Sequence, residues 1–269
     1  MREIHKENPM KKLITIISSA ILVLVFFTAA QAKPPVTVKM AKGQAQITVL
    51  TGKAEAVCAG QKAVRYLKTN DSVAAGCEVS TGAGSRLEMV LPDRSVVRFS
   101  ENTQFKLVQA DIKNNGRRAV GISVTIGKIW TNVRKSLPGG GDKFEISCQN
   151  AVAGVRGTIY RMDVEVDQSA LVKVYDGEVS VAGASRKQPS AVSAVGPPKP
   201  VAGPSVIEGP KPVSMEQWVY IVKSMQQIRV ASDGKPQKPE DFTEASEQMD
   251  SWVNWNKSRD KKTEDMQQR

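Results

Sequence analysis

Apolar and polar residues alternate with a period of two over much of the first two thirds of the chain. From Tyr160 it runs Tyr160-Arg161-Met162-Asp163-Val164-Glu165-Val166. Every second side chain there is apolar and most of those between are charged, the pattern of a strand with one buried and one wet face. Similar short runs are Ala45-Gln46-Ile47-Thr48-Val49-Leu50, Leu87-Glu88-Met89-Val90-Leu91, Val96-Val97-Arg98-Phe99 and Leu171-Val172-Lys173-Val174-Tyr175. Turn chemistry separates them at Thr51-Gly52-Lys53, Thr81-Gly82-Ala83-Gly84-Ser85, Pro92-Asp93-Arg94 and Asn114-Asn115-Gly116. Asp176-Gly177, between two apolar runs, is a two-residue hairpin signal because both turn positions need positive φ. Residues 33–184 therefore read as an all-β domain: an antiparallel sandwich or roll, or a β-solenoid-like coil. A stretch of that length can enclose one core. Pro138-Gly139-Gly140-Gly141 reads as a surface loop within it.

The pattern then changes. Residues 185–213 hold Gly196-Pro197-Pro198-Lys199-Pro200 and Gly209-Pro210-Lys211-Pro212 with no periodic apolar face, an extended linker. Residues 214–269 read as a short α-helical tail. Ser214 can cap a helix through Trp218, Ile221, Val222, Met225 and Ile228, spaced by threes and fours. A second helix is expected from Asp241 to about Gln267, with Met249, Trp252, Val253 and Asn256 on one face and a solvated stretch from Asp260 to Lys262. The tail tryptophans Trp218, Trp252 and Trp255 either pack on the β domain or form a partner-binding helix, and the proline linker favours the second.

The N-terminus bears on the compartment. A basic start at Met10-Lys11-Lys12 precedes an apolar run from Leu13 to Ala30, and Ala30-Gln31-Ala32 offers a small-residue cleavage site. Residues 1–32 therefore read as a secretory signal peptide. An uncleaved transmembrane anchor is the alternative, since an apolar run of about 18 residues approaches the length of a span. Either way, the chain after Lys33 is expected in the periplasm or secreted. No cysteine follows in a lipobox-like position.

Composition narrows the chemistry. The single histidine, His5, lies in the segment expected to be removed, so the mature chain lacks Ser-His-Asp and Cys-His catalysis and His-ligated metal sites. No cofactor or metal is implied and no enzyme is expected. The net charge of +11 favours acidic partners. The excess sits in the β region, with 21 basic against 14 acidic residues over 33–185 and 13 against 11 after it. Nucleic acid is a poor fit, because no basic-aromatic stacking motif occurs. Expected partners are an envelope protein or an anionic glycan or lipid surface. Of the three cysteines, Cys58 and Cys77 are the favoured disulfide pair in an oxidising compartment, leaving Cys148; three buried free thiols are the alternative.

Three groups of residues invite a functional reading. Arg156, held between Gly154 and Gly157 at a strand start, could present a guanidinium to a carboxylate or phosphate. The favoured reading is structural, with Arg156 paired internally and Gly157 allowing close backbone approach. Lys113, Arg117 and Arg118, flanking the Asn114-Asn115-Gly116 turn, could bind anions, although a solvated hairpin loop is the plainer reading. Asp163 and Glu165 alternate with apolar residues and read as an ordinary wet face rather than a catalytic pair.

Several motifs in order resemble the FecR domain of bacterial envelope proteins. They are Thr81-Gly82 with Ser85-Arg86, then Leu91-Pro92-Asp93-Arg94-Ser95 with Val96-Val97-Arg98-Phe99, then Asn102-Thr103 and Ile126-Gly127-Lys128-Ile129-Trp130. The most specific is Gly154-Val155-Arg156-Gly157-Thr158-Ile159-Tyr160, followed by Val174-Tyr175-Asp176-Gly177-Glu178-Val179. Trp252 to Asp260 is similar to Trp- and Arg-rich tails on some of those proteins. The resemblance implies a non-catalytic β module outside the membrane, acting in binding or scaffolding. The family's namesake adds a cytoplasmic anti-sigma segment and senses an outer-membrane transporter. At most a dozen residues precede the apolar run here, so that role is not expected to transfer. A membrane-anchored sensor relaying an outer-membrane signal is the alternative function.

Overall fold

A computed structural model of the protein describes residues 43–61, 63–113, 117–135, 142–184 and 219–267, with side chains to 263. The expected signal peptide, the Asn114-Asn115-Gly116 turn, the Pro138–Gly141 loop, the proline-rich linker and Trp218 lie outside the described residues.

Among the described residues seventeen strands follow one another: β1 Gln44–Thr51, β2 Ala54–Val57, β3 Arg65–Tyr66, β4 Ser72–Ala74, β5 Glu78–Thr81, β6 Arg86–Val90, β7 Val96–Phe99, β8 Gln104–Ile112 and β9 Arg118–Asn132. Then come β10 Lys143–Ser147, β11 Ala151–Val155, β12 Ile159–Val164, β13 Ala170–Asp176, β14 Glu178–Gly183, β15 Val219–Lys223, β16 Gln226–Val230 and β17 Glu240–Asp241. After them, among the described residues, come a 3-10 turn, Glu244–Glu247, and one helix, α1 (Ser251–Gln267).

The strands make one continuous sheet folded into two leaves. Leaf A has the order β4-β1-β6-β7-β9-β12-β13-β16-β17. Leaf B has the order β3-β2-β5-β8-β9-β10-β11-β14-β15. All these pairings are antiparallel except β9 with β10. Inward side chains of both leaves share one core, including Ile47, Leu87, Val97, Ile129, Met162 and Val172 from leaf A and Val79, Leu107, Ile122, Ile146, Ala153 and Val181 from leaf B. Phe99 and Phe105 stack across it with ring centroids 3.6 Å apart.

Strand β9 belongs to both leaves. Its first half pairs with β8 and β10, and its second half, from Gly127, pairs with β7 and β12. Gly127 has φ 110°, and a Cβ there would lie 2.6 Å from the Thr103 Cα. A side chain at this crossing point would therefore meet both steric exclusion and a disfavoured backbone.

Two sequence expectations are corrected here. The segment expected to form a helix from Ser214 through Ile228 is strands β15 and β16 where described, joined by Ser224-Met225 with Met225 at φ 61°. Helical spacing of its apolar residues is outweighed by β-branched Val219, Ile221 and Val222 and by the free edges of β14 and β13, which the two strands pair with. The expected second helix begins at Ser251 rather than Asp241, because Glu240 and Asp241 pair with β16 as β17. The segment after the linker thus completes the sheet before becoming helical.

Cys58 and Cys77 are joined as a disulfide. The β2–β5 register, which sets Val57 opposite Glu78, brings them together. Cys148 is a buried free thiol whose pKa is pushed up by that burial.

Replacing Gly127 with Ala is expected to cost about 2 kcal/mol or more in stability. Denaturant unfolding of the variant checks this.

Candidate functional site

The Gly154–Thr158 and Asp176-Gly177 motifs form corners of the fold. Strand β11 lies in leaf B and β12 in leaf A, and Arg156-Gly157-Thr158 carries the chain between them. Strand β13 lies in leaf A and β14 in leaf B, so Asp176-Gly177 carries it back. The expected hairpin at Asp176-Gly177 is therefore not formed: β13 and β14 each pair with other strands. One glycine at φ 88° turns the chain through a corner where a hairpin would have reversed it.

The corners stack. A Cβ on Gly177 would lie 3.0 Å from the Gly157 carbonyl oxygen and 3.2 Å from the Thr158 Cα. Thr158 Oγ1 donates to the Glu178 carbonyl at 2.8 Å. Ser224, in the β15–β16 corner, accepts from the Gly177 N–H at 2.9 Å and donates to its carbonyl at 3.1 Å. On the other side, a Cβ on Gly157 (φ 66°) would lie 2.7 Å from the Lys135 Cγ. Glycines are needed here because successive passes of backbone come too close for side chains.

Arg156 lies at the corner between β11 and β12. Its side chain is exposed, on the rim of a 570 Å³ depression that also has Asp142, Lys143, Glu145, Glu178 and Ile221 in its walls. The close approach at the corner rests on Gly157, buried Thr158 and Gly177. Gly154 and Val155 line the same depression, half-buried.

The anion-binding trio is divided. Arg118 is 4% exposed and contacts Asp93 at 2.7 Å and Asp142 at 3.6 Å, and it donates to the Arg134 carbonyl at 2.8 Å. It is a structural cation. Lys113 and Arg117 are exposed, and the Lys113 N–H donates to the Arg117 carbonyl.

The largest cluster of charge is one that alternation assigned to solvent. Glu88 pairs with Arg98, Arg98 with Trp130, Trp130 with Arg161, and Arg161 with Lys173 in neighbouring strands of leaf A. These side chains form one row on the outer face, and the C-terminal segment covers it. Arg98 is fully buried, held by Glu88 at 2.7 Å and by Asp260 of α1 at 2.7 Å. The other Asp260 oxygen accepts from the Trp130 indole at 2.8 Å. Arg259 grips both Glu88 oxygens at 2.6 and 2.8 Å. Further along, Arg161 makes a bidentate pair with Asp163 and reaches Asp250 at 2.8 Å, while Glu247 takes Lys173 and the Tyr175 hydroxyl.

Sequence reading placed Asp163 on a wet face and the stretch from Asp260 in solvent; both carboxylates are buried. Glu165, past the end of β12, is exposed. Trp252 packs with Trp130 and Val253 in a small second cluster against leaf A, which corrects its reading as a partner-binding side chain. Half-buried Trp255 stacks on Trp252 and lies under Arg86, Arg98 and Arg259. The sequence carried only part of the signal, arginines and a tryptophan at outward strand positions and a tail with carboxylates and tryptophans; that β7, β9 and β12 are neighbours is a fact of the sheet.

Electrostatics follow the geometry. Burial alone would raise the Glu88 carboxyl, but hydrogen bonding from Arg259 and the field of Arg98 outweigh it and hold the pKa below the usual range. Glu247 is lowered against the same burial by Lys173 and Tyr175, and Asp250 by Arg161. Asp163, the nearer of the two carboxylates weighed for catalysis, is committed to Arg161.

Three outcomes are expected. Gly157→Ala lowers the melting temperature markedly, whereas Arg156→Ala stays within about 0.5 kcal/mol of the parent; thermal melts of the pair check this. Asp260→Ala strips Arg98 of a buried partner and costs about 3–5 kcal/mol, read as a lower denaturant midpoint and faster tryptic cleavage in α1. The lowered carboxyls bind fewer protons folded than unfolded. Their stabilisation is present above the ordinary carboxyl range and is lost as pH falls through their lowered folded values. Tryptophan fluorescence during acid titration follows that loss.

Comparison with known proteins bears on the domain. Two crystal structures of a candidate anti-sigma factor from Parabacteroides distasonis ATCC 8503 are similar at 18% and 17% identity, each with a TM-score of 0.44. Each match covers 65% of this chain and 64% or 63% of that one, so this chain spans less than two thirds of their length. No curated protein matches the sequence. The family model described as FecR protein matches residues 77–180, a stretch that runs from β5 through the stacked corners into β14, and the chain therefore carries a FecR domain.

Proposed function

We propose that the protein is a non-catalytic binding or scaffolding module of the bacterial envelope, exported by its N-terminal segment and presenting its FecR domain in the periplasm. The observation that carries this reading is the commitment of its buried carboxylates: Glu88, Asp163, Glu247 and Asp260 each contact an arginine or lysine. A general acid or base needs a carboxyl free to exchange a proton with substrate, and these groups instead stand in ion pairs, all but Asp163 between the tail and the sheet. The absence of histidine after His5 supports the same reading. What the domain offers outward is surface, including the mixed-charge depression beside the corners. Its alternating acids and bases suit a protein partner, with complementarity setting specificity.

None of the described helices is long and apolar enough to cross a membrane, and the apolar run from Leu13 lies outside the described residues. Cleavage after Ala32 separates the exported module from an anchored sensor. Mass spectrometry of the protein from envelope fractions is expected to give an N-terminus at Lys33. An intact N-terminus in the membrane fraction would favour the sensor, and recovery in the cytoplasm would overturn both. In a crosslinking pull-down, a partner captured by the parent is expected to be lost with the charge reversals R156E and E178K.

A further inference from the structure

The C-terminal helix is a separable part. Among the described side chains, the core shared by the two leaves holds nothing after Val230. Helix α1 contributes instead to the small second cluster, where Trp252 and Val253 meet Trp130, with Trp255, Ile159 and Tyr175 beside them. The rest of its described hold is polar: Asp260 on Arg98 and Trp130, Arg259 on Glu88, and the Asn256 carbonyl accepting from Arg98 at 3.5 Å. Lifting α1 therefore leaves the shared core complete and bares one face of leaf A.

The turn before α1 has its own hold on the sheet. Glu247 contacts Lys173 and accepts from the Tyr175 hydroxyl at 2.8 Å, and Phe242 lies edge-on to the Tyr175 ring at 5.4 Å. Gln248, Met249 and Asp250 separate that turn from the helix, and Met249 is 96% exposed. Asp250 joins the two parts. It accepts from the Trp252 and Val253 N–H groups at 2.8 and 3.3 Å, which caps α1, and it reaches Arg161 at 2.8 Å. A helix that carries its own cap retains those bonds when it leaves the sheet. A short hinge between two ordered parts is the arrangement from which identical elements exchange between copies.

The face beneath α1 selects what can lie on it. Arg98, Trp130 and Arg161 form its row, Arg86 and Lys173 flank it, and Glu88 and Asp163 are the carboxylates within it. Four cations against two carboxylates call for a helix that brings acid, and Trp130 calls for one that brings apolar rings. Helix α1 supplies both from one side, since Trp255 and Asp260 follow Trp252 by three and eight residues. The two Asp260 oxygens meet Arg98 and the Trp130 indole at once. We propose that α1 is an exchangeable strap, and that the α1 of a second copy of this chain takes its place on the face. The incoming helix remakes each contact that opening breaks, so the buried cations have acid beside them in both arrangements. The exchange goes beyond the scaffolding role and holds whether or not the chain is exported.

The test titrates full-length parent, R259Q and D260A chains with a fluorescein-labelled peptide of residues 248–269, followed by anisotropy. Both substitutions loosen the chain's own strap and leave Arg98, Trp130 and Arg161 in place for the peptide. R259Q keeps Arg98 between Glu88 and Asp260, so it serves where D260A does not fold. A chain's own strap competes with the peptide, and apparent affinity rises with the fraction of open chains. The expected result is binding about tenfold or more tighter to R259Q than to parent, and lost when the peptide itself carries D260A. Deuterium exchange of the parent is expected to be about a hundredfold faster in α1 amides than in β9 and β12. Equal affinity for parent and R259Q, no binding to either, binding that the D260A peptide reproduces, or one exchange rate for α1 and β9 overturns the proposal.

Discussion

The fully buried guanidinium of Arg98 is the constraint around which the molecule is arranged. It stands on the outer face of leaf A, where alternation directs it, yet water does not reach it. A charge in that position is tolerable only with opposite charge beside it. Glu88 comes from the neighbouring strand and Asp260 from a helix far away in sequence. Asp260 also takes the Trp130 indole, and Arg259 balances Glu88. The helix is therefore fixed in register by charge as much as by apolar contact. Its apolar contribution is small, chiefly Trp252 and Val253, while charge pairing admits few alternative dockings. Polar specificity of this kind makes the C-terminal segment part of the domain despite the long stretch that precedes β15.

The second organising constraint is the close approach of successive chain passes at the corners. Gly157 and Gly177 occupy positive φ with neighbouring backbone against them, and Ser224 caps the next corner through both polar groups of Gly177. The residues that mark the FecR domain most specifically are thus those that allow one leaf to turn into the other. The mixed-charge depression flanks these corners on the leaf B side. Neighbouring residues differ there: Arg156 is exposed while Gly157 beside it holds the turn.

Much of the fold was legible in the residues. The all-β character follows from alternation, because inward positions such as Met162 and Val172 recur at every second residue. The disulfide was legible because Cys58 and Cys77 end segments that pair. The candidate site was less legible. Asp176-Gly177 has the local chemistry of a hairpin, and local chemistry cannot distinguish a reversal from a corner. Arg118 and Arg117 are adjacent and identical in type, yet one is buried on Asp93 and the other exposed; only the strand register separates them.

The sequence by itself determined the strand-forming segments, the apolar side of each, the glycine positions where the chain can turn, and the lack of histidine chemistry beyond the N-terminal segment. These are local properties, set by side-chain period, backbone freedom and composition. The tertiary structure decided which outward charges are wet. Arg98, Arg161 and Asp163 have the same pattern as any solvent-facing residue, and it is the docking of α1 and the turn before it that removes their water. It also decided that residues with helical spacing after the linker become strands, because open edges of β13 and β14 were there to receive them. Burial and edge pairing are relations between distant segments, and a one-dimensional pattern does not contain them.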